Sequence, residues 1–223
     1  MWTGRASFDR ALRGLHDEVL VLGSMADKAI ERSIEALRRL DQEAAREVIR
    51  DDFKINRKRF EIEEQAIELI ATQQPMARDL RTIVAVLNII VELERIGDYA
   101  EGIGKIVLLH GEQVLLKPLI DVPRMADKAR DMLRRSLDAF VERDAEAARR
   151  IAAEDDEVDA LYNQVYRELL TFMLGDPRTI DRATWLLWVA HNLERIADRV
   201  TNICERVVYE ATGRMEELNV SKY

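Results

Sequence analysis

Six residues, Leu93-Glu94-Arg95-Ile96-Gly97-Asp98, return one hundred positions later as Leu193-Glu194-Arg195-Ile196-Ala197-Asp198. This repeat constrains the fold more than any other feature. Its period is too long for a solenoid unit of roughly 20–50 residues, so it marks a duplication. The flanks carry the same duplication. Met25-Ala26-Asp27-Lys28-Ala29 recurs unchanged as Met125-Ala126-Asp127-Lys128-Ala129. Asp41, Glu43, Ala44, Ala45 and Arg46 match Asp144, Glu146, Ala147, Ala148 and Arg149, and Asp52, Ile55 and Arg78 match Asp155, Val158 and Arg178. The offset is 100 at Met125, 103 at Asp144 and 100 again at Glu194, so three residues are gained in one loop region and lost in another.

Apolar positions fall at helical spacing throughout. Residues 6–40 read as one amphipathic helix, with Leu12, Leu15, Val19, Leu22, Ile30 and Leu37 on its stripe. Asp41 suits an N-cap. A second helix is predicted over 43–73, ended by Pro75. A third, 76–109, is apolar all round from Ile83 to Val91, which predicts burial on several sides. Gly111 and Pro118 bracket a connector before the pattern repeats. With 9 Gly and 4 Pro in 223 residues, the composition is that of a helix-rich protein. The expected fold is therefore all-α: six long helices in two tandem three-helix bundles, 1–111 and 118–213, with 214–223 a loose tail. Trp185 and Trp188 are expected in the second core, and Cys204 as a small buried residue.

Charge and composition exclude several functions. Acidic residues outnumber basic ones by 42 to 34, net −8. Nucleic acid is therefore not expected as a ligand, because phosphate binding needs a basic footprint. The single cysteine rules out an intramolecular disulfide and zinc-finger chemistry. No run behind the N-terminus suits a signal peptide, and no stretch reaches about 18 uncharged apolar residues. A cytoplasmic protein that does not insert into membranes is expected. No nucleophile–base pair or Gly-rich phosphate loop is present, so an enzyme is not expected.

The repeated segment itself carries chemistry. Glu94 and Asp98 lie four apart on one helix face, as do Glu194 and Asp198. Like charges in that register destabilise a bare helix by roughly 0.2–0.5 kcal/mol, and a cation between them reverses the sign. Antiparallel helices rising about 1.5 Å per residue bring further oxygens level. Asp52 lies 23 residues before the turn near 75, with Glu94 and Asp98 19 and 23 after it. Asp155 and Asp159 lie 21 and 17 before a turn near 176, with Glu194 and Asp198 18 and 22 after it. Asn56 stands where the second half has Asp159. Each half thus offers three or four side-chain oxygens, a donor set suited to hard divalent cations. The alternative is a solvated acidic face.

These segments together resemble the PhoU family. The resemblance rests on the two Leu-Glu-Arg-Ile-(Gly/Ala)-Asp segments, Asp52–Asn56, Asp155–Asp159, Gln74-Pro75 with Asp79-Leu80-Arg81, Arg178-Thr179-Ile180 and Asn202-Ile203. It implies two similar three-helix bundles and metal ions on Asp52, Glu94, Asp98, Asp155, Asp159, Glu194 and Asp198. Iron, zinc, manganese and magnesium are the metals implied. It also implies a homodimeric negative regulator of phosphate uptake, peripheral to the membrane, that links the phosphate ABC-transporter ATPase to a sensor histidine kinase. Asn56 in place of an acid, Gly102 opposite Asn202, and Ala197 for the usual Gly depart from the pattern.

Six further residues lie near these sites. His191 is three residues before Glu194, but its counterpart is Val91, which favours an edge role over ligation. Asn202 is a further candidate donor. Arg95 and Arg195 are placed to brace the carboxylates. Asp27 and Asp127, at about the same height on the first helix of each half, are candidate further ligands, but Lys28 and Lys128 beside them favour surface ion pairs. Two other readings remain open on the sequence alone. One is a carboxylate-bridged metalloenzyme, although the Glu-x-x-His pattern of di-iron proteins is missing. The other is a metal-free helical scaffold.

Overall fold

The computed structural model describes residues 2–111 and 113–218. It contains α1 (Trp2–Arg39), α2 (Gln42–Gln73), α3 (Arg78–His110), α4 (Asp121–Glu142), α5 (Ala145–Ala152), α6 (Asp155–Gly175), a 3-10 turn (Pro177–Thr179) and α7 (Ile180–Thr212). No strand occurs among the described residues. The protein is all-α, with α1–α3 and α4–α7 as two bundles.

The local signals act as the sequence predicts. Asp41 accepts from Ala44 N–H at 3.0 Å and Asp144 from Ala147 N–H at 2.9 Å. Each caps its helix by satisfying an orphan donor of the first turn. The residue before each cap, Leu40 and Arg143, takes a positive φ of 52° and 55°. The duplication therefore extends to a backbone corner that L-residues enter at a cost. Positive φ at Gln74 and Ala77 likewise encloses Pro75.

One expected helix is broken. The second helix of the second bundle divides into α5 and α6 at Ala153 and Glu154, although neither is Gly or Pro. Glu154 is drawn towards α4, where Lys128 (2.7 Å) and Arg135 hold its carboxylate. Asp155 becomes the first residue of α6 and is 1% exposed.

The apolar side chains of both halves form one continuous core. Its seam is α3 against α7, with α1 also touching α4. The all-apolar centre of α3 is explained by its neighbours, for it packs against α1, α2 and α7. The helices run antiparallel along the seam. Asn202 donates to Glu92 at 3.1 Å, and the mirror position pairs Gly102 with Asn192, whose Nδ2 lies 3.1 Å from where a Cβ would sit.

Several expectations need correction. Trp188 is 49% exposed and does not fill the core. Trp185 is partly buried, its ring 5.2 Å from that of His110. Asp27 pairs across the bundle boundary with Arg130, Oδ1 to Nε at 2.7 Å, rather than with the lysine beside it. Lys128 pairs with Glu154 and Glu157. The tail is not loose as far as it is described. Glu216 takes a forked bond from Arg149, and Leu218 packs on the core while its N–H donates to Glu205 at 3.2 Å. The rest of that tail, 219–223, lies outside the described residues. Cys204 is buried, which pushes its thiol up to about 12 and leaves it inert.

Candidate functional site

The first carboxylate cluster stands where α2 crosses α3. Gly97 permits the close approach. A Cβ there would meet Ile55 at 3.0 and 3.1 Å and the Asp52 carboxylate at 3.2 Å. Asp52 is thereby set beside Glu94 and Asp98. Its carboxyl is pushed up to about 6, first by burial and then by the negative charges of Asp98, Glu101 and Glu94. Glu94 and Asp98 are raised as well, each chiefly by burial. Arg95 is exposed and lowers both through its charge. Asn56 donates to Asp52 Oδ2 at 2.7 Å, while Asp52 Oδ1 is buried with no hydrogen-bond partner. Behind Asp52 a cavity of about 160 Å³ runs between α1 and α2, its mouth carrying Lys28, Arg32 and Lys54.

The second cluster stands where α6 crosses α7. Glu194 is pushed up to about 7, chiefly by burial, then by Asp198 and Asp159 against the pull of Arg195. Asp159 is raised by burial, Asp198 and Asp156. Asp155 is buried at the start of α6, where the helix dipole favours a negative charge. Arg195 reaches both Asp198 and, across the seam, Tyr99. Glu194 Oε2 is buried without a hydrogen bond. His191 Nδ1 lies 3.5 Å from that oxygen, on a side chain 54% exposed, so it borders the cluster from solvent.

The acids therefore share two electrostatic sites, yet the sites are not preformed. Among the described residues, no three His, Cys, Asp or Glu side chains converge closely enough to hold an ion as they stand. Asn56 occupies one oxygen of Asp52, and Arg195 one oxygen of Asp198. The donors fit a hard cation in kind, and the unpartnered oxygens of Asp52 and Glu194 are what such an ion would satisfy. Binding would have to displace the Asn56 and Arg195 contacts.

Two residues near the clusters escape the sequence pattern. Glu101 is a fourth acid in the first cluster. It is three residues beyond Asp98 on the same face, but its counterpart is Thr201, so the comparison of halves hides it. Lys105 holds it at 2.5 Å. Tyr162 faces Glu194, whose charge, after burial, raises its hydroxyl. Asn202 is drawn away from the carboxylates by its bond to Glu92 on the seam.

The model of the PhoU domain matches residues 19–107 and again 122–207. The chain belongs to the PhoU family. It is 41% identical over 219 residues to a protein of Clostridium acetobutylicum named phosphate-specific transport system accessory protein PhoU homolog, covering 96% of this chain and 99% of the relative. A Caulobacter vibrioides protein of the same name is 43% identical over 213 residues, covering 95% and 92%. The crystal structure of the phosphate transport system regulatory protein PhoU from Streptococcus pneumoniae superposes with a TM-score of 0.88 at 33% identity, over 95% of this chain and all of that one. PhoU from Pseudomonas aeruginosa gives 0.88 at 32%, over 93% and 100%. The two matched stretches are the two PhoU halves, and each contains one carboxylate cluster.

Proposed function

We propose that this PhoU protein is a cytoplasmic, non-enzymatic negative regulator of phosphate uptake and of the phosphate-starvation response. It works at the inner face of the membrane and links the phosphate ABC-transporter ATPase to a sensor histidine kinase. The observation that carries this reading is the full-length match to proteins named as accessory or regulatory components of phosphate transport. No helix among the described residues is long and apolar enough to cross a membrane, which suits a peripheral role. The net charge of −8 argues against nucleic acid as a partner.

Divalent or trivalent metal belongs to the same proposal, with iron, zinc, manganese and magnesium as candidates. Asp52, Glu94 and Asp98 would hold it in the first half, and Asp155, Asp159, Glu194 and Asp198 in the second. The ion would supply positive charge that turns carboxylate repulsion into cohesion between helices. The second site is the stronger one. It has four acids, whereas in the first Asn56 replaces one acid and Lys105 neutralises Glu101.

The test is co-purification of the tagged protein from cells grown with and without phosphate. The transporter ATPase and the sensor kinase should be recovered with it. Recovery of neither, in either condition, would contradict the linking role. Deletion of the gene should leave the starvation response on in phosphate-rich medium.

A further inference from the structure

The cavity of about 160 Å³ between α1 and α2 has walls of one chemistry and a mouth of another. Met25, Ala29, Val48, Ile55 and Gly97 give it an apolar lining. A cavity of roughly 150 Å³ with such walls takes up a molecule the size of benzene. Part of the space comes from Val48, which is one methyl smaller than Ile151, its counterpart in the second half. Asp52 lines the cavity as well, but Asn56 donates to its Oδ2 and its Oδ1 is buried.

The mouth is cationic. Lys28, Arg32 and Lys54 stand around it. Arg32 reaches Asp51 at 2.5 Å and Glu47 at 3.0 Å, and Lys54 reaches Asp51 at 2.6 Å. Two acids therefore answer two of the three cations. Lys28 is exposed and forms no ion pair in the described chain. The second half shows what this lysine does when acids face it. Lys128 joins Glu154 at 2.7 Å and Glu157 at 2.9 Å, clasping α4 to the start of α6. The residue that matches Glu157 in the first half is Lys54. Lys28 thus meets a cation across the mouth, like charges repel, and no clasp forms.

We propose that this cavity binds a small organic monoanion, a carboxylate carried on an apolar body about the size of benzene. The body fills the space between Met25, Val48 and Ile55, and its burial supplies the hydrophobic part of the affinity. The carboxylate pairs with Lys28 at the mouth in a charge-assisted contact. One unanswered cation suits a single negative charge rather than a phosphate dianion. The site borders the first carboxylate cluster through Asp52 and Gly97 but needs no metal, so it stands or falls apart from the metal reading.

Titration of the full chain in EDTA with phenylacetate tests it, read by calorimetry and by the methyl NMR signal of Met25. Phenylacetate should bind with a Kd of about 1 mM or tighter, and the Met25 signal should move as the site fills. Acetate, a head without a body, and benzyl alcohol, a body without a charge, should each bind about tenfold more weakly or worse. Lys28→Gln should weaken phenylacetate about tenfold at an unchanged melting temperature, because Lys28 holds no ion pair in the described chain. Lys54→Glu supplies the acid that the second half has at this place, so Lys28 should close the mouth and binding should be lost. Ala29→Leu puts a side chain into the cavity and should abolish binding. Val48→Ile adds only the methyl of Ile151 and should weaken binding about threefold, which keeps the test open if the larger substitution disturbs the fold. No binding of phenylacetate up to about 10 mM, equal affinity for acetate or benzyl alcohol, binding indifferent to Lys28→Gln or kept by Lys54→Glu, or binding indifferent to both cavity-filling variants would each overturn the proposal.

Discussion

Asn202 Nδ2 on α7 donates to Glu92 Oε2 on α3 at 3.1 Å, and Arg199 reaches the same oxygen at 3.3 Å. The pairing belongs to a pseudo-two-fold seam. Equal steps along α3 from Gly97 and along α7 from Ala197 lead to facing residues, as with Gly102 and Asn192 in the mirrored position. The two repeated segments therefore meet near the axis that relates the halves. Each presents its carboxylates away from the seam, to the middle helix of its own bundle.

Glu92→Ala leaves two donors on α7 without their acceptor. It should destabilise the protein by about 1–2 kcal/mol, read from the urea midpoint. Metal content should not change. A loss of metal in this variant would mean that Asn202 belongs to the second cluster after all.

Glu210 is a second seam residue, with its side chain 0% exposed. It accepts from Thr82 at 2.8 Å and from Arg143 Nε at 3.0 Å, tying α3, α4 and α7 together. Burial raises its carboxyl against the pull of both partners. Glu210→Ala leaves the arginine without its counter-charge and should cost about 3 kcal/mol in urea unfolding. Glu210→Gln, which keeps an acceptor, should cost less. Equal costs would show that the negative charge facing Arg143, which both variants lose, matters there rather than the retained acceptor.

Glu194 titrates at about 7 in the folded chain, against an ordinary 4.5. The folded state therefore holds this proton more tightly than the unfolded state. In metal-free protein the penalty for ionising it is absent below about pH 4.5, grows as pH rises towards 7, and is complete above that. Glu194→Gln removes the penalty. In EDTA at pH 8 the variant should melt a few degrees above the parent, and the gain should vanish near pH 4.5. With saturating divalent ion at pH 8 the order should reverse, because the variant has lost a charged ligand. A variant no more stable than the parent in EDTA at pH 8 would contradict the electrostatic reading.

The helices, their caps and the duplicated carboxylates are legible in the sequence because they depend on local spacing. Asp41 and Asp144 cap as their positions predict. Asp52 and Glu94 come level because helix rise is fixed. What is not legible depends on partners distant in sequence. Glu154 breaks a helix because Lys128 and Arg135 on α4 hold it, and no breaker residue announces this. Asp27 finds Arg130 rather than its neighbour Lys28. Asn202 serves the seam for the same reason, while Glu101 is hidden because only one half carries it.

Metal analysis of protein purified without chelator tests the carboxylate sites most directly, using two paired variants: Glu94→Gln/Asp98→Asn and Glu194→Gln/Asp198→Asn. The parent should carry bound metal. Each pair should lose metal, the second more than the first, together with more of the metal-dependent rise in melting temperature. That rise corresponds to about 2.7 kcal/mol at a hundredfold excess over Kd. A parent without metal, or variants that keep the parent's full content, would contradict the carboxylate sites and leave these acids a solvated face.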